Sequence, residues 1–257
     1  MSFPAGWIVP QWPAPANVRA VCTTRAGGQS RAPYDSLNLG DHVGDSAQAV
    51  TSNRALFAQA LQARPVFLKQ VHALHAVQLA TDTPDGIEAD GCVTTVPSVA
   101  CTIMVADCLP VLFAAASGRA VAAAHAGWRG LAGEGGRNIL EAVWNRLRDV
   151  AELEAAQTLA WLGPCIGPDR FEVGPEVKAA FEAQDPQAAA LFKPHGAGKW
   201  LADLPGLARR RLQALGITRV YGNDGGSDWC TVGNPSRFFS HRRDRVSGRF
   251  AASIWLA

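Results

Sequence analysis

No C-x-x-C pair occurs among the six cysteines of this 257-residue chain, and no His-x-His pair among its six histidines. The first absence, in a chain too long to need disulfide staples, leaves the thiols to be read as reduced and mostly buried. The second leaves no donor set for a multinuclear copper cluster. Apolar runs fall well short of the ~20 residues that span a bilayer. Residues 1–15 carry no basic segment followed by an apolar core, so no signal peptide is expected and the default location is cytoplasmic. Charge of one sign is scarce as well: 24 Lys+Arg stand against 22 Asp+Glu, a formal net of +2. So even a balance argues against coating nucleic acid or an anionic membrane, and leaves a small molecule as the expected partner.

What is present is ordinary globular material, 48% hydrophobic and 18% charged, enough to bury a sizeable core. Prolines crowd the first 15 residues, which are expected to be extended and irregular. Strand-length apolar runs lie at 18–24, 66–72, 100–106, 111–115, 120–125, 159–162, 217–221, 237–240 and 250–256, the Ala-rich run at 120–124 being ambiguous. Helical spacing predicts helices over 46–61, 139–147, 177–182 and 204–215, with Asp45 or Ser46 capping the first and Gly216 stopping the last. Strands and helices mix without regular alternation, and no linker divides the chain. The expectation is one α/β domain over residues 1–257, a mixed-sheet sandwich with helices outside.

Three segments stand out: Lys69-Gln70-Val71-His72, Ala106-Asp107-Cys108-Leu109-Pro110 and His125-Ala126-Gly127-Trp128-Arg129-Gly130. Each places a metal-capable side chain at the end of a predicted strand, where sites are usually assembled. Two His and one Cys suit a borderline-soft ion such as Zn²⁺, and three protein ligands leave a fourth position open, the catalytic pattern. Such an ion lowers the pKa of water at its open position to roughly 7. Each residue taken alone also reads as core. On a continued strand Gln70 would share the face of His72, and His75 would point away. Asp107 reads equally as a ligand-orienting or general-base carboxylate and as a turn cap.

These segments, with Thr23-Thr24-Arg25-x-Gly27-Gly28, Ser36-Leu37-Asn38-Leu39-Gly40-x-His42-Val43-Gly44-Asp45, Gly163-Pro164-Cys165-Ile166-Gly167-Pro168, Glu172-Val173-Gly174 and Phe238-Phe239-Ser240-His241-Arg242-Arg243-Asp244, resemble the YfiH-type family, also labelled laccase-domain or polyphenol oxidase, peptidoglycan-editing factor and purine nucleoside phosphorylase. The likeness runs from about Trp7 to the end of the chain. It departs at His241, where an aromatic such as Tyr is commoner, and at Ser46, where a second Asp often follows Asp45. The resemblance implies a YfiH-like α/β sandwich, with His72, Cys108 and His125 as a metal-binding and catalytic trio usually occupied by zinc. It also implies phosphorolysis of adenosine, inosine and methylthioadenosine, and deamination of adenosine.

Around the trio, Asn38 reads as a purine or ribose contact or as a turn asparagine bonding its own backbone. Arg25, beside two glycines, reads as a phosphate ligand or a surface arginine. Arg129 suits an anion at a helix start, or solvent. Trp128 suits a stacked base, or the core. Arg242 and Arg243 suit an anionic pocket, or a basic surface, and Gln70 is grouped with the substrate-binding residues. Glu172 reads as a partner behind the ligands or as an exposed charge. Arg209, Arg210 and Arg211 read as a solvated helix face. Gly133-Glu134-Gly135-Gly136 carries no dinucleotide role. Four functions compete: a zinc-dependent purine nucleoside enzyme, a metal-free Cys-His hydrolase of amide or peptidoglycan-precursor substrates with Cys108 as nucleophile and His125 as base, a mononuclear copper oxidoreductase with Met104 near the metal, and a metal-stabilised binding module.

Overall fold

At the centre of the molecule two apolar strands, β6 (Leu109–Ala115) and β7 (Val121–Ala126), are buried at every residue, as strands covered on both faces must be. The computed structural model describes residues 3–257; Met1 and Ser2, at the head of the proline-rich start, lie outside the described residues. The ambiguous alanine run is therefore a strand. Its small side chains at 122, 124 and 126 let Ile139, Leu140, Val143 and Leu147 of a helix pack against it in one apolar cluster.

β6 and β7 belong to a six-stranded sheet of order β12-β8-β6-β7-β4-β3. The others are β3 (Ala76–Gln78), β4 (Gly91–Thr94), β8 (Thr158–Leu162) and β12 (Arg219–Gly222). A second sheet has the order β1-β13-β5-β2, built from β1 (Val18–Cys22), β2 (Arg64–Phe67), β5 (Val99–Val105) and β13 (Phe250–Leu256). Alternate residues of both sheets, such as Cys101 and Ile103 from one and Leu112 and Ala123 from the other, share one buried cluster, so the sheets face each other.

Helix α1 (Ala47–Leu61) covers the outside of the four-stranded sheet through Phe57 and Leu61. Ser46 caps it, its Oγ accepting the Ala49 N–H. Helices α2 (Trp128–Ala132), α3 (Ile139–Ala151), α4 (Pro175–Glu182) and α5 (Leu204–Ala214) cover the outside of the six-stranded sheet. With them lies a small antiparallel sheet of β9 (Glu172–Val173), β10 (Phe192–His195) and β11 (Lys199–Ala202). A one-turn helix α6 (His241–Asp244) follows Ser240, which caps it. The architecture is a mixed α/β sandwich with helices on both outer faces. Among the described residues no helix is long and apolar enough to cross a membrane.

Of the expected strands, one is cut short and one is a turn. The run at 66–72 leaves the sheet after Phe67, because residues 71–73 bond to the Asp90 carboxylate instead. The run at 237–240 is a turn: the N–H groups of Arg237 and Phe238 both donate to Asn234 O, and Phe238 and Phe239 sink into the core between the sheets. The arginines at 209–211 are not a solvated face. Arg209 donates to the carbonyls of Val220, Gly222 and Asn223, Arg210 forks onto Asp185, and Arg211 reaches Ala132 O. They fasten α5 to its neighbours, which local sequence does not reveal.

Candidate metal centre

Strand register brings the site together. β6 and β7 run antiparallel with Pro110 opposite His125, so Cys108, just before β6, lies beside the end of β7. β4 pairs antiparallel with β7 on the other side, Gly91 opposite Ala124. Asp90 is thereby the neighbour of His125 and accepts its backbone N–H at 2.7 Å. The Asp90 side chain is fully buried. Its Oδ1 accepts from Nδ1 of His125 at 2.8 Å and from the His72 N–H at 3.0 Å, and its Oδ2 accepts from the N–H groups of Val71 and Ala73.

That carboxylate is what draws residues 71–73 out of the sheet. His72 sits at φ 60°, a conformation that costs an L-residue energy and is held here by its neighbours. Gln70 fixes the same loop to the other sheet, its Nε2 donating to Met104 O and its Oε1 accepting from Met104 N. Its amide is spent on the β5 backbone instead of presenting itself to a ligand.

The outcome is a cluster of His72, Cys108 and His125 whose ligand atoms all lie within 4.8 Å of one another. Cys108 Sγ and His72 Nε2 are 4.0 Å apart. Gly127 permits the approach, because a Cβ there would lie 3.1 Å from both Cys108 Sγ and His72 Cδ2. Burial pushes the Cys108 thiol up, but the His125 charge and hydrogen bonds from both imidazoles outweigh it and bring it down to about 6. Burial pulls His125 down, but the charge on Cys108 and the bond to Asp90 lift it to about 9. Burial also raises the Asp90 carboxyl, yet the His125 bond and the backbone N–H groups hold it below the usual carboxylate range. A thiolate, a histidine whose Nδ1 is tied to a carboxylate, and a second imidazole match the donor chemistry of a borderline-soft divalent ion.

Beside Cys108 opens a cavity of about 220 Å³ with apolar walls from Trp128, Ile166, Phe171 and Leu204, and His241, Arg242 and Arg245 at its rim. Asp107, at φ 97°, also lines it. Its Oδ1 accepts from Thr231 Oγ1 at 2.6 Å, its Oδ2 from the Arg242 N–H at 2.6 Å, so it braces α6 against the site. A larger groove, about 760 Å³, lies over the outer face of α1 and includes none of the three cluster residues.

The other expected contacts are employed elsewhere. Asn38 is fully buried; its Nδ2 donates to Gly40 O and Asp45 Oδ2, and its Oδ1 accepts from the N–H groups of Gly40 and Arg249. Arg25 donates to Asp35 O and Pro235 O, pairs with the Asp35 carboxylate and lies over Phe239. Arg243 donates to Thr231 O, Phe238 O and the Asp244 carboxylate. Arg129 is exposed and lies over the Trp128 ring. Met104 packs in the α1 cluster with Arg54 at its sulfur, apart from the trio. Glu172 is exposed on β9, 3.6 Å from His195. Sequence reasoning missed Asp90 and Arg249, which sit in no pattern that separates them from any other Asp or Arg.

The family model described as multi-copper polyphenol oxidoreductase laccase matches residues 19–257. A protein of Pseudomonas aeruginosa named purine nucleoside phosphorylase is 49% identical over 97% of this chain and 98% of its own length. Purine nucleoside phosphorylase YfiH of Escherichia coli is 47% identical, with the same coverage of each chain. Among solved structures, a Neisseria meningitidis protein superimposes with a TM-score of 0.89 at 44% identity, covering 98% of this chain and 99% of the other. YlmD from Geobacillus stearothermophilus does so at 0.88 and 30%, covering 100% and 98%. With a fold, a His-Cys-His cluster and relatives that agree over nearly its whole length, the chain belongs to the YfiH-type family of laccase-domain proteins.

Proposed function

We propose that this protein is a purine nucleoside phosphorylase acting at a single divalent metal ion, zinc before copper, held by His72, Cys108 and His125. The observation that carries this reading is the convergence of three ligand atoms, within 4.8 Å of one another, one of which, Cys108, also lines a 220 Å³ cavity that includes Trp128 and Phe171. Relatives at 47–49% identity bear the name purine nucleoside phosphorylase. The donor set favours zinc, and six histidines without a His-x-His pair cannot furnish a multinuclear copper site.

When bound, the ion supplies Lewis acidity beside the cavity. The chain's own residues do the rest. Trp128 and Phe171 line the cavity and supply aromatic surface for a purine. Asp90 holds the His125 tautomer and Asp107 holds the α6 wall of the cavity. Substrates in this reading are adenosine, inosine and methylthioadenosine with phosphate, and deamination of adenosine is a second activity of the same site. Products from adenosine, separated by chromatography with and without phosphate, test it. Adenine formed only with phosphate is expected; inosine formed without phosphate assigns the deaminase, and neither product from metal-replete protein overturns the nucleoside reading.

One observation favours a second reading. Cys108 at about 6 beside His125 at about 9 is a thiolate–imidazolium pair, the chemistry of a Cys-His hydrolase. Metal content separates the two, since this reaction needs no ion.

A further inference from the structure

A cation assists phosphorolysis by meeting the phosphate charge. Of the arginines that sequence offered for an anion, Arg25 and Arg243 are fastened to carbonyls and carboxylates, Arg129 is exposed over Trp128, and Arg242 donates to Glu172 O at the cavity rim. Arg249 is differently placed. It precedes β13, whose first residue, Phe250, pairs with Val105 at the end of β5. The register sets Arg249 opposite Ala106, at the sheet end from which Asp107 and Cys108 continue. Its backbone N–H is held by Asn38 Oδ1 at 2.8 Å. Its Nη1 donates to Ser247 O at 2.8 Å and to Gly248 O at 3.0 Å. Gly40 leaves room for the side chain: a Cβ at that position would lie 2.7 Å from Arg249 Cγ.

This guanidinium is half-buried, yet none of the ion pairs formed by the described residues includes it. Burial pulls it below the usual arginine range, and the charges acting most strongly against that pull are those of Cys108, Asp107 and Tyr34. A half-buried cation without a carboxylate partner is partly stripped of water, and an anion that reaches its open edge is held more strongly than at a fully solvated arginine. Nη1 is spent on the Ser247–Gly248 turn, while Nε and Nη2 make no bond to the described residues beyond it. That free edge has the geometry that grips a tetrahedral oxyanion through two N–H groups.

We infer that Arg249, set by Asn38 and Gly40 at the sheet end that leads into Cys108, forms an oxyanion subsite that takes inorganic phosphate. The inference rests on the phosphorylase reading for its choice of phosphate and on Arg249's position for the site itself. It also gives the Leu37-Asn38-Leu39-Gly40 segment a role as the cradle of this arginine in place of a nucleoside contact.

The test is calorimetric titration of metal-replete protein with inorganic phosphate, comparing wild type, Arg249→Met and Arg249→Lys, with circular dichroism to check folding. Methionine keeps the packing against Gly40 and removes the fork; lysine keeps a charge without it. We expect at least a tenfold loss of phosphate affinity in Arg249→Met and an intermediate loss in Arg249→Lys, with the nucleoside KM changed less than twofold and the phosphate KM raised in step with the binding loss. Phosphate affinity unchanged in folded Arg249→Met overturns the subsite, and so does wild-type protein that binds no phosphate. Active wild type with an unchanged phosphate KM in Arg249→Met sinks the subsite and spares the phosphorylase reading. Phosphate binding lost in Arg249→Met, in a protein that turns over no nucleoside, sinks the phosphorylase reading and spares the subsite.

Discussion

Asp90 and His125 bond twice across the β4–β7 edge: the Asp90 carbonyl accepts the His125 backbone N–H at 2.7 Å, and the Asp90 carboxylate accepts the ring Nδ1–H at 2.8 Å. In the neutral ring the proton is thereby held on Nδ1, and the Nε2 lone pair is left as the atom that could ligate a metal ion beside Cys108. The same carboxylate carries the His72 loop, so one buried side chain sets two of the three proposed ligands.

Asp90→Asn should therefore weaken metal binding by about 10–100-fold, the usual cost of losing such a partner. An amide keeps one acceptor but sets an N–H against one of the donors that Asp90 now satisfies. Zinc affinity measured by chelator competition checks this, and affinity equal to wild type would contradict the linkage. The same substitution should lower the melting temperature, because an N–H left without an acceptor in the interior costs about 1–3 kcal/mol.

His125→Ala should remove the metal and leave the fold. The carboxylate of Asp90 keeps its three backbone N–H donors from residues 71–73 in that variant, so the loop stays anchored. Metal content by mass spectrometry, beside a wild-type circular dichroism spectrum, is the measurement. Stoichiometric zinc in the variant would refute the ligand assignment.

In protein stripped of metal, Cys108 should be a thiolate over most of the pH range. Its pKa is brought down to about 6 by His125 and His72, so its alkylation rate should rise through pH ~6 and level off by pH ~8, while an ordinary thiol, near 8.5, is still rising there. His125→Ala removes the leading charge and should move the midpoint upward. Metal should suppress the reaction at every pH. A midpoint above pH 8 in stripped wild type would refute the thiolate–imidazolium pair.

Gln70→Ala should act on stability before catalysis. Its amide makes two bonds to the Met104 backbone, and their loss should cost about 1–3 kcal/mol in a denaturant titration. Wild-type stability with a raised substrate KM would return Gln70 to the ligand.

Much of this molecule was legible in one dimension. Val50, Phe57 and Leu61 announce α1 and its buried face, and the apolar runs at 111–115 and 250–256 announce two strands, which the structure shows buried at every residue. His72, Cys108 and His125 were visible as metal-capable groups beside predicted strands, because residue type and local pattern suffice for that. The short strands β3, β4 and β9–β11 were not visible, since two to four residues carry no period.

What only the tertiary structure decided was the use of the polar side chains. Gln70, Asn38, Arg25 and Arg243 have the composition of a substrate site, and each is instead bonded to protein groups, some near in sequence and some, as Met104 for Gln70, Arg249 for Asn38 and Pro235 for Arg25, far from it. Asp90 and Arg249 look like any surface charge in the chain. Strand register delivers one to His125 and the other to the end of β5, and burial, by removing water, turns each into a group whose charge has consequences. Apolar periodicity is a local property and can be read locally. Which donor meets which acceptor follows from pairing between residues 35 or 211 positions apart, and that is settled only when the sheets close.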